Sequence, residues 1–455
     1  SLVCIFALAC SSQAAWVIND NDSTNRTEHI NATISNNITL TNKNTAIYTD
    51  RNSPIGELTI NDGVTIQVNK NNGKGIEINT GNGGTQVNNI TNNGHIHTKG
   101  TGISINDRSS AETITVGANG SITSAGGNAI YVGNGSRVNH IDIQGATTGS
   151  GGIINRGTIG VQTTTQPNGI KVTGSITSKN NRAAAIENTG TINGGINVEG
   201  TLTGGTSSSY WGFHTSILNY KTINGGIKVG ENATLNGGIL NVQLNNGPAS
   251  ITGDITVDGT INMNGRGSAI NNGYMGTVNG NIIIGENGKL GGNIWNQNRI
   301  TGKVEIKGTL TGEIRNRNNN SQSMITGGII VSGGTITNGI KNEGTIQQNI
   351  KVENGGKLQG QGIFNQGKVE GNVQIQGSNV TNIQNTGTVT QKIEVTQNST
   401  IQGSITNTNK INGIDITNSN IGGNIVNSGQ NASTGNISIT GTSDIKGSII
   451  NQNGA

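Results

Sequence analysis

Residues 339–361 read GIKNEGTIQQNIKVENGGKLQGQ, and this stretch decides the fold. Ile340 and Asn342 fall on one face of a short run, Ile346 follows a Gly-Thr pair, Ile350 and Val352 alternate, and Leu358 follows a Gly-Gly turn. Period-two alternation in short runs, punctuated by Gly and Asn, signals strands and turns rather than helix. The chain then repeats the order with Ile363, Asn365, Val369, Val373, Ile375 and Val380, and again with Ile383, Asn385, Val389, Ile393, Val395 and Ile401. Far upstream, Ile186, Asn188, Ile192, Ile196, Val198 and Leu202 keep it too.

Working outward, twelve Ile-x-Asn motifs stand in this register, beginning at Ile186, Ile217, Ile239, Ile270, Ile294, Ile314, Ile340, Ile363, Ile383, Ile405, Ile425 and Ile449. Neighbouring motifs are 20 to 31 residues apart. A period in the low twenties belongs to a solenoid in which each repeat is one coil stacked on the last. The expected fold is all-β: a right-handed parallel β-helix with about three short strands per coil and coils of roughly 20–24 residues. About five inward aliphatics per coil, at ~1.5–3 kcal/mol each, stabilise it only when a neighbouring coil covers its hydrogen-bonding edge. About twenty coils would make a rod on the order of 90–100 Å long.

Composition agrees. The chain is 30% hydrophobic, 11% charged and 2% aromatic, with 74 Gly and 3 Pro in 455 residues, so it lacks the Leu and Phe of a large globular core. Disorder is the first alternative for a polar, Gly-rich chain. Against it, the apolar residues are mostly strand-favouring Ile and Val, and they recur in phase. The net charge of +4 is spread thinly, with no Lys/Arg run and no basic stripe interleaved with aromatics, which argues against a nucleic-acid partner.

The Asn at each motif fits a stacked corner position. An inward Asn can pass its amide to the next Asn, forming a ladder through Asn188, Asn219, Asn241, Asn272, Asn296, Asn316, Asn342, Asn365, Asn385, Asn407, Asn427 and Asn451. A catalytic Asn has no reason to appear twelve times in register. Before Ile186 the pattern is looser, carried by residues 90–96 and 153–159 between longer insertions.

At the N-terminus, Leu2 to Cys10 is an apolar run too short to span a bilayer, and Ser12 and Ala14 fit a signal-peptidase site, with a mature start near Ala15 or Trp16. Residues 1–14 therefore read as an N-terminally truncated signal peptide, 15–60 as a cap with Trp16, Tyr48 and Pro54, and 61–455 as the β-helix, truncated at its C-terminus. Residues 7–10 also resemble a lipoprotein box, with Ala7 where Leu is usual. Both cysteines lie in the leader, so the mature chain is no disulfide scaffold and suits passage across a membrane unfolded.

With the export signal and Cys-free mature region, residues 186–196 (IENTGTINGGI) and 340–346 (IKNEGTI) make the chain resemble autotransporter passenger domains of type V secretion, in particular the vacuolating-cytotoxin-like and adhesin autotransporters of the epsilon class. The resemblance covers residues 60–455 and is periodic and compositional. It implies export to the cell surface, outer membrane or medium, adhesion to a host-cell glycan or protein receptor, and a C-terminal outer-membrane β-barrel; amphipathic barrel strands with aromatic girdles are not found in this sequence.

Signals of chemistry are sparse, and the chain reads as no enzyme, without cofactor or metal. It has no Gly-Asp-Ser-Gly nucleophile motif, nucleophile elbow, Walker loop or H-E-x-x-H helix, and the Gly-rich turn 81–84 lacks the Asp of a calcium nonapeptide. Asp254 and Asp258 form a spaced acidic pair without a neighbouring Arg. His95 and His97 share a strand face, as do His140 and Asp142; both pairs read as outward strand residues before a metal site or a charge relay. The segment 204–216, GGTSSSYWGFHTS, is the best candidate for ligand binding, through Tyr210, Trp211, Phe213 and His214. Loops projecting from a solenoid are where binding residues sit, although such a loop can equally fold back over a coil. A second insertion, 315–323, reads as a polar loop. The competing functions are a polysaccharide-acting β-helix enzyme, which needs an acid cluster in a cleft, and a toxin-like passenger, which needs a hydrophobic insertion segment that residues 16–60 do not show.

Overall fold

The computed structural model describes residues 14–20, 26–50, 53–79, 81, 84–106, 108–161, 169–205, 214–244, 247–263, 267–318 and 323–452. Among them the chain is all-β without helix, wound as a parallel β-solenoid of about 16 turns with about three strands per turn. In one coil, Ile340–Asn342 lies in the first sheet, Thr345–Ile346 and Ile350–Glu353 in the second, which bends between them, and Lys357–Leu358 in the third. One turn later the partners are Ile363 for Ile340, Lys368 for Thr345, Val373 for Ile350 and Asn379 for Lys357, all parallel.

The third sheet stacks 17 strands. At about 4.8 Å per step the rod is roughly 75–80 Å long. It is shorter than the sequence period suggests because the coils from Ile47 to Ile186 advance by 23 to 33 residues, their extra length lying in turns.

The N-terminal end breaks the parallel rule. Trp16–Asn19 runs antiparallel to Thr45–Thr49 on one edge and to Arg26–His29 on the other, while Ala32–Ile34 already pairs in parallel with Leu58–Ile60. Trp16 is fully buried in the continuous core. Arg26–His29 is short, charged and wholly exposed, the composition that blunts an edge strand against further pairing.

Two columns run down the first sheet. Seventeen Ile side chains stack from Ile47 to Ile449. All are buried but Ile449, 53% exposed on the last described rung. Two residues on, the column is Ile78, Ile105 and Val132, and then becomes Asn155. From Asn155 each Nδ2 donates to Oδ1 of the next Asn through Asn451, in twelve bonds of 2.7–2.9 Å. The amides also donate to a backbone carbonyl of the following coil, as Asn385 does to Lys410 O at 3.2 Å.

The Gly of I-x-N-x-G has a steric cause. A Cβ on Gly387 would sit 2.0 Å from Gly367 O, and one on Gly367 would sit 2.0 Å from Gly344 O. Backbones touch at this corner.

Removing one amide from the ladder strands its neighbours in a dry interior. Asn385→Ala is expected to cost about 1–3 kcal/mol, whereas Asn134→Ala, at an exposed turn, is near neutral. Equal denaturant midpoints for the two variants would show that the ladder contributes no stability.

Candidate functional site

Inward positions of the described coils are filled mostly by packed aliphatic and Asn side chains, so the candidate residues lie on outward strand positions and at corners. Tyr210, Trp211 and Phe213 fall outside the described residues. His214 is buried at 7% exposure, with Nε2 3.1 Å from Gly204 O. Its ring therefore braces the base of the 204–216 segment. Close by, Ala184, Leu218, Leu240 and Val242, with Tyr220 against them, form a buried apolar cluster separate from the main core. Leu218 and Leu240 occupy outward positions of the first sheet, in register with Glu187. Burial beside this cluster raises the Glu187 pKa, and Arg156 only partly offsets it.

The histidine pairs sit on outer faces. His95 and His97 lie on the third sheet with ring centroids 6.2 Å apart, and His95 Nδ1 is 2.9 Å from Ser121 Oγ. Burial, and then the neighbouring His95, lower the pKa of His97. Asp142, the proposed partner of His140, accepts from Gln144 Nε2 at 2.7 Å and lies opposite Lys171. Among the described residues no three His, Cys, Asp or Glu side chains converge as a metal site.

The Asp254/Asp258 pair splits. Asp254 Oδ1 accepts from the backbone N–H of Asn281 at 2.7 Å and from its Nδ2 at 3.1 Å, and so braces a corner. Asp258 instead lines a groove of about 620 Å³ with Glu199, Glu231, Glu286, Lys228 and Lys307. Each acid follows a second-sheet strand at the corner leading to the third sheet: Ile196–Val198, Ile227–Val229, Ile255–Val257 and Ile282–Ile284. Glu199 and Asp258 stand one residue past their strands and Glu231 and Glu286 two, so the acids alternate between adjacent corner positions, and turns of unequal length hide this in the sequence. Glu231 accepts from Asn287 Nδ2 at 2.9 Å across the intervening coil, and Glu199 from Asn197 Nδ2 at 3.0 Å.

The outward column of Leu218 and Leu240 on the first sheet continues through Asn271 to Trp295, Arg315, Lys341 and Phe364 on successive rungs. Glu343 accepts from Arg315 Nη2 at 2.7 Å and Lys341 Nζ at 2.8 Å. These two cations hold its carboxyl below the usual range against the opposing effect of burial. Arg317 lies over Trp295 and Lys341 over Phe364, at 6.0 and 5.6 Å from the ring centroids. The rings are thus partly occupied by the chain's own cations.

Compared with protein-family models, curated proteins and solved structures, the chain finds no match.

The raised Glu187 pKa fixes a sign. The folded state prefers the protonated carboxyl, so this group favours folding below its ordinary value of 4.5, and that contribution is lost as pH rises through the folded pKa. Glu187→Gln is expected to melt higher than the parent near neutral pH, with the two curves converging in acid. A lower melting temperature for the variant near neutral pH would show that the carboxylate is stabilising in place.

Proposed function

We propose that the chain is the passenger rod of an exported surface protein of a Gram-negative bacterium, acting as an adhesin that contacts a host-cell glycan or protein receptor. The supporting observation is the use made of each coil: inward positions are spent on Ile, Val and Asn stacking, which leaves only outer faces and turn insertions to meet a partner. A rod of this kind presents a repeated surface at a distance from its anchor. The Cys-free sequence after Cys10 is compatible with secretion before folding. Tyr210, Trp211 and Phe213 are the proposed anchors, since Trp and Tyr in an inserted loop must pack on the rod or meet a partner.

The test separates those outcomes. Trp211→Ala is expected to reduce attachment of the purified chain to host cells several-fold, with circular dichroism and melting unchanged. A variant that attaches normally but melts earlier would assign the loop to packing.

The acidic corner favours one second reading, a polysaccharide-acting enzyme. Glycoside cleavage requires two carboxyl groups across one bond, and Glu199, Glu231, Asp258 and Glu286 share one groove. The adhesin reading expects no new reducing ends when the chain is incubated with soluble neutral and acidic polysaccharides. Release that disappears in Asp258→Asn would establish the enzyme instead.

A further inference from the structure

The outer face of the third sheet changes character along the rod. Its eight strands from Thr65–Val68 to Thr260–Asn262 each turn two side chains outward. The outward pairs run Thr65/Gln67, His95/His97, Ser121/Thr123, Ala146/Thr148, Ser175/Thr177, Thr201/Thr203, Thr234/Asn236 and Thr260/Asn262, held in register by parallel pairing. None is Asp, Glu, Lys or Arg. Charge resumes on the next rung, at Lys289, and exposed Lys70, Lys99 and Lys179 stand beside the strip rather than on it.

We infer that this strip is a docking surface for an uncharged, hydroxyl-rich polysaccharide chain lying along the rod axis, a proposal that rests on the adhesin reading and names its ligand. A face without charge over seven rung steps, about 34 Å, presents no cation of its own to an anionic glycan and carries no charge to desolvate against a neutral one. The hydroxyls of Thr123, Thr148, Ser175, Thr177, Thr201 and Thr234 are half-exposed and make no bond to another part of the chain. Each can both donate and accept, as sugar hydroxyls do.

Spacing supports a chain rather than a single sugar. Rungs repeat at about 4.8 Å, similar to the advance of one β-linked pyranose, so a chain laid along the axis meets about one rung per sugar. Beneath the strip, Ile122, Ile176, Leu202, Leu235 and Ile261 are fully buried and fix the backbone. The β-branched Thr side chains are stiff at χ1, so the array is ordered before a ligand arrives. At one end Asn262 Nδ2 donates to Asn236 Oδ1 at 3.2 Å, and Asn236 Nδ2 to Thr203 Oγ1 at 3.1 Å, which fixes those side chains as well.

The test uses the full chain with β-1,4-linked glucose and N-acetylglucosamine oligomers of two and six sugars, with heparin for contrast. The six-sugar chains are expected to bind at least tenfold more tightly than the two-sugar ones, with little effect of salt. The double variant Thr177→Lys/Thr201→Lys should lose at least tenfold, while Thr309→Lys, beyond the strip, binds as the parent does. If the lysine variant melts early, Thr177→Val/Thr201→Val removes the hydroxyls at constant shape and should show the same loss. Equal binding by parent and double variants, salt-sensitive binding to heparin alone, self-association abolished by the double variant, or inhibition of ice growth would each overturn the inference. Host-cell attachment separates the two claims: equal attachment by parent and double variant removes the strip but leaves adhesion, whereas attachment by neither removes adhesion.

Discussion

Every rung of this molecule has two open backbone edges, and an unpaired edge is both costly in water and a template for aggregation. Stacking the next rung is the answer the sequence gives at each turn, and most other features serve it. Gly occupies the corners where one coil's carbonyl lies within 2.0 Å of a would-be Cβ on the next. At the N-terminal end, Trp16–Asn19 pairs antiparallel with both Thr45–Thr49 and Arg26–His29, and this ends the first sheet in a short charged strand. Burial by stacking also explains why Ile449, on the last described rung, is exposed while Ile425 below it is not.

A stacked strand must also choose its register, because a slip of one residue turns every inward side chain outward. Ile and Val are interchangeable enough that an all-aliphatic column specifies register weakly. The Asn column is stricter: beside its longer donations to Gly367 O and Thr388 O, Asn365 makes its 2.7 Å bond only if Asn385 stands directly on the next rung. From Asn155 onward the ladder never breaks among the described residues, whereas upstream Ile78, Ile105 and Val132 hold the same column without it. In those upstream coils the second sheet includes seven-residue strands, such as Ser110–Val116 and Arg137–Ile143, whose paired lengths also oppose a slip.

The architecture was legible because its two determinants, Ile and Asn spaced by one residue, are read from local sequence and recur in phase. Asn155 joins the ladder although only the looser pattern around Ile153 announced it. What stayed hidden depends on turns. The acids lining the corner groove belong to turns of different length, so their shared corner appears only when the rungs are aligned. The outer cluster of Leu218 and Leu240 had a signal in Ile217-Leu218-Asn219 and Ile239-Leu240-Asn241, where apolar residues interrupt the alternation, but its burial depends on tertiary cover. The hydroxyl strip emerges only when pairing places its residues on one face.

The amide ladder holds the stacked interior together, and side-chain hydrogen exchange measured by NMR reads it without a mutation. The Nδ2 protons of Asn342, Asn365 and Asn385, each bonded to the next Asn at 2.7–2.8 Å, should exchange orders of magnitude more slowly than those of exposed Asn134. Exchange of the three at the rate of Asn134 would contradict the stacked interior on which the whole reading depends.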